Sequence, residues 1–337
     1  MTEFLIFGFA FAATSAGVAL MRRVGGSARL LDIPNERSSH AVPTMRGGGL
    51  AIVIVCLGLY AGLGLAGILT TIWSFVIGAL IVAAISYLDD LYSLSAWIRL
   101  IAHAVAASIL IYGTALDKIH MPVADILVGA GSITYVVSFL WIVWMINAFN
   151  FMDGIDGIAG TQGVAAGLGW VAFGTLLGDP NLYLFGGIIA LSCLGFLIHN
   201  WSPAAIFMGD VGSAFLGYSL AAMPLTAIGH AKSAGWLMPA ALSFLWLFFF
   251  DSVYTFVRRA VRGEKVWLAH REHLYQRMVI AGYEHGEVTL LYTTLSVFTC
   301  VLFFTAYWFR GNAVLLLLFS YLISAFLVIV ALLRKKH

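Results

Sequence analysis

The chain has 337 residues, of which 61% are hydrophobic and 10% charged, and its mean hydropathy is +0.96. Soluble domains carry about 45–50% apolar and about 25% charged residues, so this composition excludes a water-soluble fold and indicates a polytopic membrane protein. The net charge of +2 is too small to indicate a nucleic-acid partner. Cys56, Cys193 and Cys300 stand singly in apolar runs without CxxC spacing, which gives neither a disulfide framework nor a zinc site.

A membrane-spanning helix needs about 20 apolar residues. By that measure about eleven segments qualify, at 4–21, 48–67, 69–88, 96–114, 133–151, 158–177, 182–199, 212–229, 235–256, 287–309 and 313–333. The expected fold is therefore all-α, a single integral membrane domain over residues 1–337. The first segment has the length of a secretory signal. Glu3 precedes it, however, and Arg22 and Arg23 follow it, whereas a signal carries its positive charge first. It reads as a retained span with its N-terminus outside. Basic residues collect on cytoplasmic loops. That orientation puts Arg22, Arg23, Arg29, Arg37, Arg46, Arg99, Arg258, Arg259, Arg262, Lys265, Arg271, Arg277, Arg334, Lys335 and Lys336 inside, against Lys118, Lys232 and Arg310 outside. The C-terminus is then cytoplasmic. The acids sort the same way: Asp32, Asp89, Asp90, Asp153, Asp156, Asp210 and Asp251 fall at the inner face, and only Asp117, Asp125 and Asp179 fall outside. Carboxylates at span ends are functional candidates, because hydrocarbon penalises them. A cytoplasmic-face site built from segments 22–47, 86–95, 147–157, 199–213 and 257–286 is the expectation.

Segment 32–49, DIPNERSSHAVPTMRGGG, joins Arg37, His40 and Arg46 to a glycine triplet that opens the second span. Backbone N–H groups at a helix start attract phosphate, but the pattern matches neither a Walker A nor a GxGxxG motif. Asp89 and Asp90 end the third span, where negative charge opposes the helix dipole at a cost of roughly 0.3–1 kcal/mol. Either they form a solvated helix end, or a cation or proton-transfer role compensates for the placement.

Residues 147–157, NAFNFMDGIDG, place Asn147, Asn150, Asp153 and Asp156 at intervals of three. On a helix that spacing shares a face, and Gly154 and Gly157 favour a tight turn that also lets the carboxylates converge. Capping by Asp explains one of these residues but not four. Residues 200–212, NWSPAAIFMGDVG, bring Asn200, Phe207 and a lone Asp210 between glycines. Phe207 offers an aromatic face for a base, and hard oxygen ligands of this kind suit Mg²⁺, which also uses substrate phosphates. Asp251 lies inside the ninth span, with Arg258 or Arg259 two turns on as its expected partner. In LAHREHLYQRM, residues 268–278, a helix would put His270, His273 and Arg277 on one face, fit to bind diphosphate or neutralise developing charge. A basic loop resting on anionic lipid is the blander reading. Together the pieces indicate a phosphorylated substrate with Mg²⁺ and a lipid co-substrate. An ion-coupled transporter, the reading from a different class, places its carboxylates nearer the bilayer midplane, where only Asp251 lies.

These segments, in this order and over almost the whole chain, resemble the polyprenyl-phosphate N-acetylhexosamine-1-phosphate transferases, bacterial glycosyltransferase family 4. That family includes enzymes that start O-antigen, enterobacterial common antigen and teichoic acid linkage units, and phospho-MurNAc-pentapeptide translocase. The motifs DIPNERSSHAVPTMRGGG, Asp89–Asp90, NAFNFMDGIDG and FMGDVGS carry the resemblance jointly. It implies transfer of N-acetylhexosamine-1-phosphate from a UDP-N-acetylhexosamine to undecaprenyl phosphate in the bacterial inner membrane. UMP is released, and Mg²⁺ assists, with Mn²⁺ as a substitute. It implies Asp210 as the leading metal ligand, with Asp153, and a base or nucleophile at Asp89 with Asp90 beside it. Asn150, Asp153 and Asp156 then belong to the nucleotide and catalytic motif, Asn200 and Phe207 to the uridine pocket, and His270, Arg271 and His273 to a loop that meets the diphosphate or sugar. A homodimer is compatible with the sequence. LYSLS follows Asp89–Asp90 in place of a lysine-bearing segment, and HREH replaces a histidine triplet. Both departures point away from the pentapeptide translocase and toward the branch that initiates O-antigen or other surface polysaccharides. The sugar stays open among GlcNAc, FucNAc and QuiNAc.

Overall fold

The computed structural model describes residues 2–24, 30–33, 42–114, 132–227, 234–266, 270–309 and 313–333. Arg29, Arg37, His40, Asp117, Lys118, Asp125, Lys232, Arg310, Arg334, Lys335 and Lys336 lie outside the described residues.

The architecture is an all-α membrane bundle. In chain order the helices are α1 (Thr2–Val24), α2 (Gly49–Leu65), α3 (Trp73–Tyr92), α4 (Ala96–Gly113), α5 (Ser132–Met152), α6 (Ile158–Leu177), α7 (Pro180–Asn200) and α8 (Asp210–Thr226). They continue with α9 (Leu237–Phe244), α10 (Trp246–Val261), α11 (Leu274–Ile280), α12 (His285–Phe309) and α13 (Ala313–Leu333). Two short strands, β1 (Leu31–Asp32) and β2 (Thr44–Met45), pair antiparallel with Leu31 opposite Met45. Among the described residues, six helices are long and apolar enough to cross a membrane, and a seventh span results if α9 and α10 count as one.

Each apolar segment expected from the sequence contains a helix among the described residues, with one correction. The ninth is broken rather than straight: α9 and α10 meet at 74°. In hydrocarbon, carbonyls freed at such a break need internal donors. Gln162 Nε2 donates to the Phe244 carbonyl at 2.6 Å and Thr299 Oγ1 to the Ser243 carbonyl at 2.9 Å. Ser296 Oγ in turn donates to Gln162 Oε1 at 2.7 Å. These polar residues sit in otherwise apolar spans because the break needs them.

The centre of the bundle is α8, buried continuously from Val211 to Leu225. A helix apolar on all sides belongs inside a bundle, and α8 packs against α2, α3 and α5. Trp141 Nε1 of α5 donates to the Ala221 carbonyl at 3.0 Å, and Tyr218 Oη donates to the Phe75 carbonyl of α3 at 3.2 Å. The approach of α2 to α8 is set by one pair of glycines. A Cβ on Gly49 would stand 2.3 Å from Gly212 Cα, and one on Gly212 would stand 2.6 Å from Gly49 Cα. Neither obstacle is a side chain that can swing away.

This crossing gives a test. Gly49→Ala forces two backbones apart in a packed core, a change that costs about 1–3 kcal/mol. It is expected to lower the thermal midpoint of the detergent-purified protein by several degrees. Gly58→Ala on the same helix, where a Cβ meets nothing within 4 Å, is expected to leave the midpoint unchanged. Equal midpoints for the two variants would show that the crossing is not tight.

Candidate active site

One end of the bundle gathers the C-termini of α3, α5 and α7 and the N-termini of α4, α6, α8 and α12. Of the acids expected at the inner face, Asp89, Asp90, Asp153, Asp156 and Asp210 lie here. Asp89 and Asp90 close α3, and the positions that oppose the dipole of their own helix are each compensated by another element. Asp90, 2% exposed, accepts the Asp210 N–H at 3.0 Å and the Val211 N–H at 3.1 Å. It thus caps α8 from across the bundle, where the positive end of the dipole favours a carboxylate. Gly209 precedes that cap at φ +77, and a Cβ there would press on Asp90 Oδ2 at 2.8 Å. Asp89 accepts the Leu94 N–H at 2.5 Å and Arg99 Nη1 at 2.8 Å.

Arg99 also reaches Asp210 Oδ2 at 3.3 Å, so one guanidinium bridges two carboxylates. The side chains of Arg99 and Asp210 remain 29% and 30% exposed, which leaves this bridge open to an incoming ligand. Arg99 was not among the residues singled out from the sequence. The available signal was a charged side chain inside the apolar fourth span, a functional candidate by default. Arg46 stands within electrostatic reach of Asp90.

Asp153 lies in the turn after α5. Burial, then the charges of Asp210, Asp90 and Asp156, hold its carboxyl well above the usual carboxylate range. Asp156 stands within electrostatic reach of Asp153 but takes its hydrogen bonds from other partners. It accepts the Ala204 N–H at 3.1 Å and lies 3.4 Å from His285 Nδ1. Burial alone would raise Asp156; the hydrogen bonds from His285, Ala204 and Ser202 outweigh it and bring the carboxyl below its ordinary value. Asp156 therefore fastens the α7–α8 connection and α12 to the turn.

Asn200 is similarly committed: Gly157 N–H donates to its Oδ1 at 3.0 Å, and its Nδ2 donates to the Ile206 carbonyl at 2.9 Å. It shapes the wall that presents Phe207. Asn150 Nδ2 lies 3.4 Å from Ser213 Oγ, and Asn147 Nδ2 donates to the Val143 carbonyl at 2.7 Å. Asn150 thus stands at the site, while Asn147 turns back on its own helix. The glycine triplet is also placed differently from expectation. Gly48 and Gly49 N–H donate to the Phe207 and Met208 carbonyls at 3.0 and 2.8 Å, and Phe207 N–H donates to the Met45 carbonyl at 2.7 Å. Those two amides hold the 200–212 segment and are not available to a phosphate.

Residues 270–280 depart most from the sequence reading. α11 begins only at Leu274, with His273 as its N-cap, so His270, His273 and Arg277 do not form one helical face. Asp251 does not pair with Arg258 or Arg259. It accepts instead from His273, Leu274, Tyr275 and Tyr292, while Arg258 and Arg259 hold Glu272, the latter at 3.0 Å. Burial, the neighbouring His273 and Arg259 push His270 down to about 4, so its ring is neutral at cellular pH and accepts the Glu272 N–H at 3.3 Å. Arg271 lies partly buried in the same stretch.

The fold and site define a multi-pass helical membrane protein with a carboxylate-rich site at the ends of its spans. The family model for glycosyl transferase family 4 matches residues 72–228, a stretch that holds Asp89, Asp90, Arg99, Asp153, Asp156 and Asp210. A probable undecaprenyl-phosphate N-acetylglucosaminyl 1-phosphate transferase of Bacillus subtilis is 31% identical over 282 residues, covering 81% of this chain and 76% of that protein. A decaprenyl-phosphate N-acetylglucosaminephosphotransferase of Mycobacterium leprae is 28% identical over 341 residues, covering 90% and 83%. A phospho-N-acetylmuramoyl-pentapeptide-transferase of Lactiplantibacillus plantarum is 31% identical over 210 residues, covering 57% and 63%. The chain belongs to glycosyl transferase family 4.

The electrostatics of Asp153 predict a pH dependence. A carboxyl raised in the folded state binds a proton there that the unfolded chain releases near pH 4. Stability from this group is therefore present at low pH and is lost as pH rises toward the folded value. In buffer with a chelator, Asp153→Asn is expected to melt above the wild type, by a margin that widens from pH 5 to pH 8. A constant or reversed margin in thermal-shift scans would contradict the assignment.

Proposed function

We propose that the protein transfers N-acetylhexosamine-1-phosphate from a UDP-sugar to undecaprenyl phosphate, with its site on the cytoplasmic side of the bacterial inner membrane. The observation that carries this reading is the gathering of Asp89, Asp90, Asp153 and Asp210 at span ends, with one guanidinium, Arg99, bridging Asp89 and Asp210. Membership of the family and the names of the relatives in Bacillus subtilis and Mycobacterium leprae support it. Those names make UDP-N-acetylglucosamine the first donor to test, and initiation of O-antigen or another surface polysaccharide is the corresponding cellular role.

In the reaction an oxygen of the lipid phosphate attacks the sugar-linked phosphorus of the UDP-sugar. A new P–O bond forms to the lipid phosphate, the bond from that phosphorus to the bridging oxygen breaks, and UMP leaves with the electron pair. The lipid diphosphate-linked sugar remains. A phosphate dianion needs no base near neutral pH, which favours direct attack over an aspartyl intermediate. Catalysis then rests on placing two anions together and stabilising the charge between them. Arg99 provides a cation that can turn from Asp89 and Asp210 toward phosphate oxygens. Asp90 holds the start of α8 so that Asp210 faces the opening, and Asn150 lies beside it. Asn200 and Asp156 shape the 200–212 segment so that Phe207 can meet the uracil ring.

The residues also fit a divalent cation. No three His, Cys, Asp or Glu side chains among the described residues form a ready-made metal cage. Mg²⁺ commonly uses one or two protein carboxylates and completes its shell with water and substrate phosphate. Asp210, partly exposed, and Asp153, raised by burial and then by its anionic neighbours, are the carboxylates that would hold it. When bound, the ion would neutralise diphosphate charge and orient it. Mn²⁺, with the same preference for oxygen donors, is expected to substitute.

The test is UMP release from purified protein supplied with undecaprenyl phosphate, Mg²⁺ and, in turn, UDP-GlcNAc, UDP-FucNAc, UDP-QuiNAc and UDP-MurNAc-pentapeptide. Turnover with an N-acetylhexosamine donor is expected, with loss of about 100-fold or more in Asp210→Asn, Asp89→Asn and Arg99→Gln. Turnover only with the pentapeptide donor would move the protein to the peptidoglycan branch. No turnover with any donor would contradict the reading and favour a transporter.

A further inference from the structure

One buried carboxylate that the proposed reaction leaves unused is Asp251. It is 1% exposed, on α10, whose other buried residues are Leu247, Phe248, Ser252, Thr255 and Arg259. An isolated carboxylate there is costly unless fully partnered. Asp251 has five donors: Thr255 Oγ1 at 3.1 Å, His273 Nδ1 at 3.1 Å and Leu274 N at 2.9 Å on one oxygen, and Tyr275 N at 3.3 Å and Tyr292 Oη at 2.7 Å on the other. Thr255 belongs to its own helix. The rest come from His273, from α11 and from α12, so one buried group fixes the point where α11 begins.

His273 is 4% exposed. A carboxylate accepting this many hydrogen bonds is a pure acceptor, so the His273 Nδ1 facing it carries a hydrogen. The ring stands beside Phe151 at a centroid distance of 6.2 Å and beside His270 at 5.0 Å. Tyr275, two residues on, donates its hydroxyl to the Phe151 carbonyl at 2.9 Å. The imidazole is thereby held against the end of α5 that leads into Asp153. Glu272, on the other side of His273 in sequence, is clamped by Arg258, by Arg259 at 3.0 Å and by Arg262 at 3.5 Å. Adjacent residues are thus tied to two different groups of side chains on and directly after α10, which leaves His273 little freedom to rotate.

We propose that Asp251 is a positioning residue that acts through His273: it fixes the Nδ1–H form and the ring orientation, so that Nε2 meets the diphosphate-sugar of the donor substrate. This rests on the transferase reading above. An acid that orients a histidine from behind is worth about 10–100-fold in activity in comparable metal-ligand settings. The burial of the pair is what makes the orientation fixed rather than averaged.

The experiment compares Asp251→Asn, Tyr292→Phe, His273→Gln and the Asp251→Asn/His273→Gln double variant, in full-length protein in lipid nanodiscs. Steady-state UMP release, thermal midpoint and long-range ¹⁵N spectra of histidine-labelled protein are recorded for each, with the His273 signals identified by their loss in His273→Gln. The wild type is expected to show His273 Nδ1 protonated. Asp251→Asn is expected to lose that signature and about 10–100-fold in kcat/KM, with less than 2-fold further loss when added to His273→Gln. Tyr292→Phe removes a hydrogen bond from the same carboxylate but leaves the histidine contact. It is expected to lower the midpoint while keeping kcat/KM within about 3-fold of wild type. The proposal is overturned if Asp251→Asn retains wild-type kcat/KM, if its loss is as large in the His273→Gln background, or if Tyr292→Phe matches its loss. Wild-type inactivity toward every donor would instead overturn the transferase reading and leave the nitrogen spectra to decide the pair on their own.

Discussion

Two backbone amides on one buried carboxylate hold the site end of this bundle together. Asp90 ends α3, and the Asp210 and Val211 N–H groups that it accepts begin α8. A carboxylate placed against the dipole of its own helix becomes favourable because it meets the positive end of another. The same contact sets the position of Asp210 and, through the glycine before it, of the 200–212 segment. The Gly49 and Gly212 crossing lies just behind it, so α2, α3 and α8 converge within a few residues. The conformation of the site is thus a consequence of how the central helix is capped.

What the cap organises is an excess of negative charge. Asp89, Asp90, Asp153 and Asp210 share a partly buried space with the Arg99 guanidinium, and Arg46 lies within reach of Asp90. Asp90 is satisfied by amides and Asp89 by Arg99 and an amide. Asp153 carries the imbalance, since its surroundings raise it and no fixed cation is placed against it among the described residues. Such an arrangement favours the entry of positive charge together with a phosphate-bearing ligand. Asp156, Asn200 and His285 do different work. They spend their hydrogen-bonding capacity on the scaffold, and the site is rigid where they act.

Much of this was legible in the sequence. Apolar run lengths located the helices because a span has a fixed minimum length, and the polar islands at 147–157 and 200–212 stood out because charges are scarce in the chain. The division of labour within those islands was not legible. Asp153 and Asp156 are the same residue type three apart, and only tertiary placement separates the raised carboxyl from the structural one. Arg99 was hidden inside an apolar span. Spacing points Asp251 to its arginine neighbours two turns along α10, whereas its partners are Thr255 one turn along α10 and His273, Leu274, Tyr275 and Tyr292 far later in the chain. The break between α9 and α10 falls at Leu245, with no proline or glycine at the junction itself; its signal was Gln162, a polar residue in an apolar span whose purpose appears only when the Phe244 carbonyl is found beside it.

The central claim is that this carboxylate cluster, and not a site elsewhere in the bundle, receives a divalent cation together with the nucleotide. Electron paramagnetic resonance titration of Mn²⁺ into the purified protein with UMP present tests it most directly. The account predicts one tightly bound ion per chain, lost in Asp210→Asn and weakened in Asp153→Asn. An unchanged binding isotherm in both variants would contradict it.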